Sequence, residues 1–243
     1  MNTLRLLLHF FFLTILLLIH ASILNAQVPV NDSLYVQSYQ QMRAFYPEVH
    51  TGSQYARSQS SVAGHPYFGP NAMEFGSVTI QQYTFARVPL QFDIYDELLV
   101  TLTPAKGQRT ILNPQRINTF EMADGSRFVK KKNVPGFFFH RSGFYREITK
   151  GDQSLYCKHY KEIKKDSSPL NPYLSYLEVK RYFIEKDDHM HLIRRKKDAY
   201  RILSLNRREI RPHLRDPKLK FKRDREAYLL LLVTSANRRS SQL

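Results

Sequence analysis

Tryptophan is absent and cysteine occurs once, at Cys157. A lone cysteine rules out a disulfide scaffold, which needs pairs. Only the first twenty residues form a long apolar run. A multi-pass helical membrane protein needs several such spans of about 20 residues, so that class is excluded. Catalytic and nucleotide signatures are missing too. The chain has no G-x-S-x-G, S-x-x-K, H-E-x-x-H, P-loop or G-x-G-x-x-G. No cofactor is therefore implied. Spatial triads leave no such trace, so an enzyme is made less expected, not excluded.

Acidic residues are scarce: 21 Asp and Glu face 37 Lys and Arg, a formal net charge of +16 over 243 residues. Fifteen Tyr and sixteen Phe argue for a folded core and against a disordered polymer.

The N-terminus reads as a secretory signal. Arg5 and the free amine precede an apolar stretch from Leu6 to Ile19, and Ala26 offers a small residue for cleavage. The expectation is a signal peptide over 1–26, a mature chain starting at Gln27, and export to the periplasm or cell envelope, with full secretion also open. An uncleaved N-terminal anchor is the alternative. Removing the leader sharpens the charge pattern. Residues 27–128 carry a net −1, and residues 129–243 carry +16. That asymmetry suggests an interaction surface.

Residues 27–71 are polar, with a short helix expected near 33–44. From 72 to 163 short alternating runs give about eight strands, with turn signals at Asp93–Glu97, Asn113-Pro114, Asp124-Gly125 and Lys150-Gly151-Asp152. Residues 164–243 form a basic region. It holds one more hairpin turning at Lys186–His189, then helices around 199–203, 207–214 and 225–237. Asn206 and Asp224 stand as N-caps. The fold class expected is α+β: an antiparallel, curved β-meander of about 8–10 short strands followed by short C-terminal helices.

Three constellations could carry chemistry. Asp93 and Asp96, with Glu97, are paired carboxylates suited to acid/base work, although Asp is common in turns for backbone reasons. His189 and His191 would share one face of a strand as a metal pair, although they also read as a charged hairpin tip. Together they support an alternative reading as an envelope hydrolase or metal-dependent enzyme. The aromatic run Phe137-Phe138-Phe139-His140 reads as buried strand. The densest feature is cationic: Arg194, Arg195, Lys196, Lys197, Arg207, Arg208, Arg211, Arg215, Lys218, Lys220, Lys222 and Arg223. Cations interleaved with Tyr and Phe would suggest nucleic acid in the cytosol. Behind a signal peptide, nucleic acid is disfavoured. The expected partner is an anionic envelope component or an acidic protein, with peripheral membrane contact left open. The reading favoured over catalysis is an exported binding or structural protein.

The stretch Pro89–Val100, the pair Ile117–Phe120 and Ser126–Val129, and then Gly143–Ile148 with Leu155–Lys158 together resemble a family of uncharacterised exported proteins of Bacteroidota-type bacteria. The resemblance spans most of 75–235. It implies a signal peptide, a strand-rich body and a helical tail, and it transfers no activity or catalytic residue.

Overall fold

The computed structural model describes residues 53–56, 61–103, 107–134, 141–165, 173–210 and 219–240. The expected signal peptide, the helix near 33–44, the run Phe137–His140, and the cations Arg211, Arg215 and Lys218 lie outside the described residues.

The chain is strand-rich, with one large, mostly antiparallel sheet and helices after it, which is an α+β architecture. The strands are β1 (Val62–Ala63), β2 (Glu74–Ile80), β3 (Tyr83–Asp93), β4 (Leu98–Leu102), β5 (Arg109–Ile111), β6 (Ile117–Glu121), β7 (Arg127–Lys131), β8 (Gly143–Thr149), β9 (Gln153–Lys165), β10 (Leu174–Lys186) and β11 (His189–Ile193). The helical segments are α1 (Lys196–Ile202), the single turn α2 (Arg207–Ile210) and α3 (Arg225–Ser240). The strand order is β1-β10-β9-β8-β7-β6-β2-β3-β4-β5, and β11 pairs with the far half of β10. Among the described residues the pairings between strands are antiparallel except β1 with β10. Inserting β2 and β3 beyond β6 breaks a simple neighbour-to-neighbour order.

The apolar runs at Tyr83–Phe85 and from Val88 onward belong to one strand, β3. Phe85 and Val88 both turn toward the core although they are three positions apart, which plain alternation would put on opposite faces. A bulge accounts for this. Ala86 and Arg87 oppose the single residue Ser77 of β2, with Arg87 at φ 53°. The extra residue resets the side-chain alternation.

The turn chemistry follows the sequence closely. Gly125 takes φ 79° and Ser126 N–H donates to Asp124 Oδ1 at 2.9 Å. Gln115 N–H donates to Asn113 Oδ1 at 2.9 Å. Asp187 and Asp188 both have positive φ, as a two-residue hairpin between right-twisted strands demands.

One core is built from β2, β3, β6, β7 and β8. Phe92, Phe120, Phe128 and Phe144 meet there, with Phe92 and Phe120 centroids 5.0 Å apart and nearly edge-on. Such pairs add about 0.5–1.5 kcal/mol beyond area burial. A second core lies under α3. Tyr228, Leu229, Leu232, Val233 and Ala236 form its inner face, against Leu155 and Cys157 of β9 and Tyr182 and Ile184 of β10. Asn237 pins the far end of α3: its Oδ1 accepts from Gln153 N–H and its Nδ2 donates to Gln153 O, each at 2.9 Å. Tyr145, Tyr156, Tyr160 and Phe183 make a third cluster on the opposite face. Residues 153–160 are thus buried on both faces.

Candidate functional site

Of the twelve cations singled out in the C-terminal region, those from Arg194 to Lys197 lead into α1. Arg208 belongs to α2, and Lys220, Lys222 and Arg223 precede α3. Asp198 fixes the start of α1 by accepting from the N–H groups of Arg195 at 2.7 Å and Arg194 at 3.2 Å. Asn206 caps α2 as expected, its Oδ1 accepting from Arg208 N–H at 3.0 Å. Arg194, Arg195, Lys197, Arg208, Lys220, Lys222 and Arg223 are exposed.

Two of these cations meet at a concavity. Lys196 and Lys197 line a cavity of about 400 Å³ with Tyr200 and Leu205. Its cationic side is backed by aromatic rings. The Lys196 ammonium lies 4.7 Å from the Tyr228 ring centre and 5.8 Å from that of Tyr200. The two hydroxyls of Tyr200 and Tyr228 are 2.9 Å apart. Phe221 packs edge-on to Tyr228 at 5.7 Å, with the Arg225 guanidinium 4.8 Å above it. Tyr228 is buried, so it supports Lys196 from within, and the cavity itself offers charge from the two lysines and apolar surface from Tyr200 and Leu205 to the same ligand.

The aspartates and histidines are not joined. Asp93 is fully buried and takes the Tyr55 hydroxyl at 2.6 Å on one oxygen. Its other oxygen accepts the N–H groups of Tyr95 and Asp96, each at 2.9 Å, so it organises the β3–β4 turn. Burial, the leading cause, pushes its carboxyl above the ordinary aspartate range. His189 and His191 share the exposed face of β11, as their spacing predicted. That strand pairs with residues 182–186 of β10, away from the Glu178 position that lies opposite Lys161 near the Asp93 turn. Among the described residues, no group of three His, Cys, Asp or Glu side chains is placed to hold a metal ion.

Glu97, the third acid of that turn, sits in a second concavity. It has φ 60°, costly for a non-glycine residue. Its Oε1 accepts Phe144 N–H at 2.7 Å and pairs with the ammonium of Lys158, which also donates to Phe144 O at 3.1 Å. The Lys158 side chain is 1% exposed. Burial holds its pKa below the usual lysine range, against the opposing pull of Glu97. Asp96, Glu97, Pro114, Gln115, Lys130, Lys132, Ser142 and Phe144 line a cavity of about 470 Å³ above this pair.

Comparison with protein-family models, curated proteins and solved structures finds no match to the chain.

In the sequence Glu97 stands only as part of a turn cluster, and nothing singles out Lys158, Lys130 or Lys132. Lys158 sits in a strand whose neighbours alternate, so its burial has no local signature. Lys130 and Lys132 lie in a run of three lysines that resembles any solvated face. A readable clue is Cys157, a small residue in the run Leu155-Tyr156-Cys157-Lys158 that reads as a buried strand position. Cys157 is buried, and burial pushes its thiol up to about 12, so it is not a nucleophile at neutral pH.

Proposed function

We propose that this chain is an exported, envelope-associated binding protein without catalysis, which meets an anionic partner through the α1–α3 side. The observation that carries this reading is the cavity in which Lys196 and Lys197 stand beside Tyr200 and Leu205. Two cations beside the apolar wall of Tyr200 and Leu205 suit an anionic amphiphile, such as a phosphate-bearing lipid head group with adjoining apolar chain. An acidic protein would engage the outlying arginines but would leave the apolar wall unused.

The reading includes the leader over 1–26, cleavage before Gln27, and membership of the exported strand-rich group that the motifs resemble. It also includes a curved sheet. Supporting the curvature is a bond between Lys161 N–H of β9 and Ile94 O, just past β3, at 3.1 Å. Four strands lie between those two in the sheet order. Among the described residues no helix is long and apolar enough to cross a membrane; the membrane contact included in this reading is peripheral.

The test is binding of the mature chain to vesicles of phosphatidylcholine with phosphatidylglycerol, compared with a Lys196→Gln/Lys197→Gln variant. The expected outcome is a loss of at least about tenfold in the variant. Equal binding by both proteins would remove the cavity from the account. Export is tested separately, by fractionating cells and sequencing the mature N-terminus.

A further inference from the structure

The cavity over the Glu97–Lys158 pair differs from the α1 cavity in carrying both signs of charge on different walls. Asp96 and Glu97 come from the β3–β4 turn. Lys130 and Lys132 come from the end of β7 and the residue just past it. Pro114 and Gln115, from the loop between β5 and β6, and Ser142, before β8, complete the rim.

Both walls are set before any ligand arrives. Lys130 Nζ donates to Pro114 O at 2.7 Å, which holds that amine at the rim. Glu97 is held by Phe144 N–H and by Lys158 from below. Gly143 is required for this: a Cβ there would stand 2.0 Å from Glu97 Oε1. Walls held in place in this way lower the ordering cost of binding.

The charges select the ligand. A dianion would meet Asp96 and Glu97, and a cation would meet two lysines. Lys130 is partly withdrawn from water and stands beside Lys132, and both effects oppose its charge. A carboxylate between the two ammonium groups relieves that repulsion. A volume of about 470 Å³ lies in the range of small-molecule pockets.

We infer that this cavity binds a small zwitterion of the amino-acid or dipeptide class, with its carboxylate toward Lys130 and Lys132 and its ammonium toward Asp96 and Glu97. The site is separate from the α1 cavity and does not rest on the anionic-partner reading.

The experiment is isothermal titration of the purified protein with alanyl-alanine, N-acetyl-alanyl-alanine and alanyl-alanine amide. The free dipeptide is expected to bind, and each blocked form to bind at least about tenfold more weakly, since each loses one charged contact. Lys130→Gln/Lys132→Gln and Asp96→Asn should each weaken the free dipeptide by a similar factor. Circular dichroism would show that both variants stay folded. Lys196→Gln/Lys197→Gln should leave dipeptide binding unchanged, which separates this site from the α1 cavity. Equal binding of the acetylated form would make the cavity a plain anion site and overturn the inference. Equal binding of the amide, or no heat from the free dipeptide up to about 10 mM, would overturn it as well.

Discussion

The Lys158 ammonium and the Glu97 carboxylate, 61 residues apart in sequence, form an ion pair beneath the β3–β4 turn, with the lysine side chain 1% exposed. Removing one partner leaves a buried charge without its counter-ion. Glu97→Gln is therefore expected to cost about 3–5 kcal/mol. The double change Glu97→Gln/Lys158→Met should recover part of that, because no isolated charge remains. Urea denaturation of the three proteins measures it. A single variant within about 1 kcal/mol of the parent would show that the pair does not hold the turn.

Stability should depend on pH through His159. Its ring is buried against Phe68 and Phe128, and its Nδ1 lies 2.8 Å from Glu178 Oε1. Burial is the leading cause that holds its pKa below 6.5, with Arg146 and Lys180 adding to it and Glu178 opposing. The folded state thus takes up a proton less readily than the unfolded chain. As pH falls below 6.5, the unfolded chain gains the proton first, and stability declines until the lowered folded pKa is passed. His159→Gln should flatten the slope between pH ~7 and ~5.5. An unchanged slope in that variant would assign the effect to another group.

Cys157 should be silent to thiol reagents in the native protein. Burial raises its thiol to about 12 and leaves none of the residue exposed. Labelling should appear only with unfolding, at the same denaturant concentration as the loss of circular dichroism. Rapid labelling of folded protein would mean that α3 does not cover β9.

Gly76 should tolerate no side chain. A Cβ there would meet the backbone oxygen of Glu121 at 2.2 Å, so β2 and β6 would have to part. Gly76→Ala is expected to cost about 1–3 kcal/mol. A melting temperature equal to that of the parent would contradict the β2–β6 register.

Local chemistry made much of the fold readable. Asp124-Gly125, Asn113-Pro114 and Asp187-Asp188 each set a turn through their own backbone preferences, and the helices begin where Asn206 and Asp224 predicted. What stayed hidden depends on contacts distant in sequence. The order β6-β2-β3 cannot be read from the alternation of any one strand. Nor can the burial of Asp93, because a turn aspartate looks the same whether or not Tyr55 covers it. The cationic cavity was half legible. The charge run gave Lys196 and Lys197, but Tyr228, on α3, enters only through packing.

The anionic-partner account is tested most directly by salt. Binding of the mature chain to vesicles containing phosphatidylglycerol should weaken steadily as ionic strength rises from about 0.01 to 1 M, and should be absent on phosphatidylcholine alone. Binding that is indifferent to salt, or equal on both vesicle types, would contradict it.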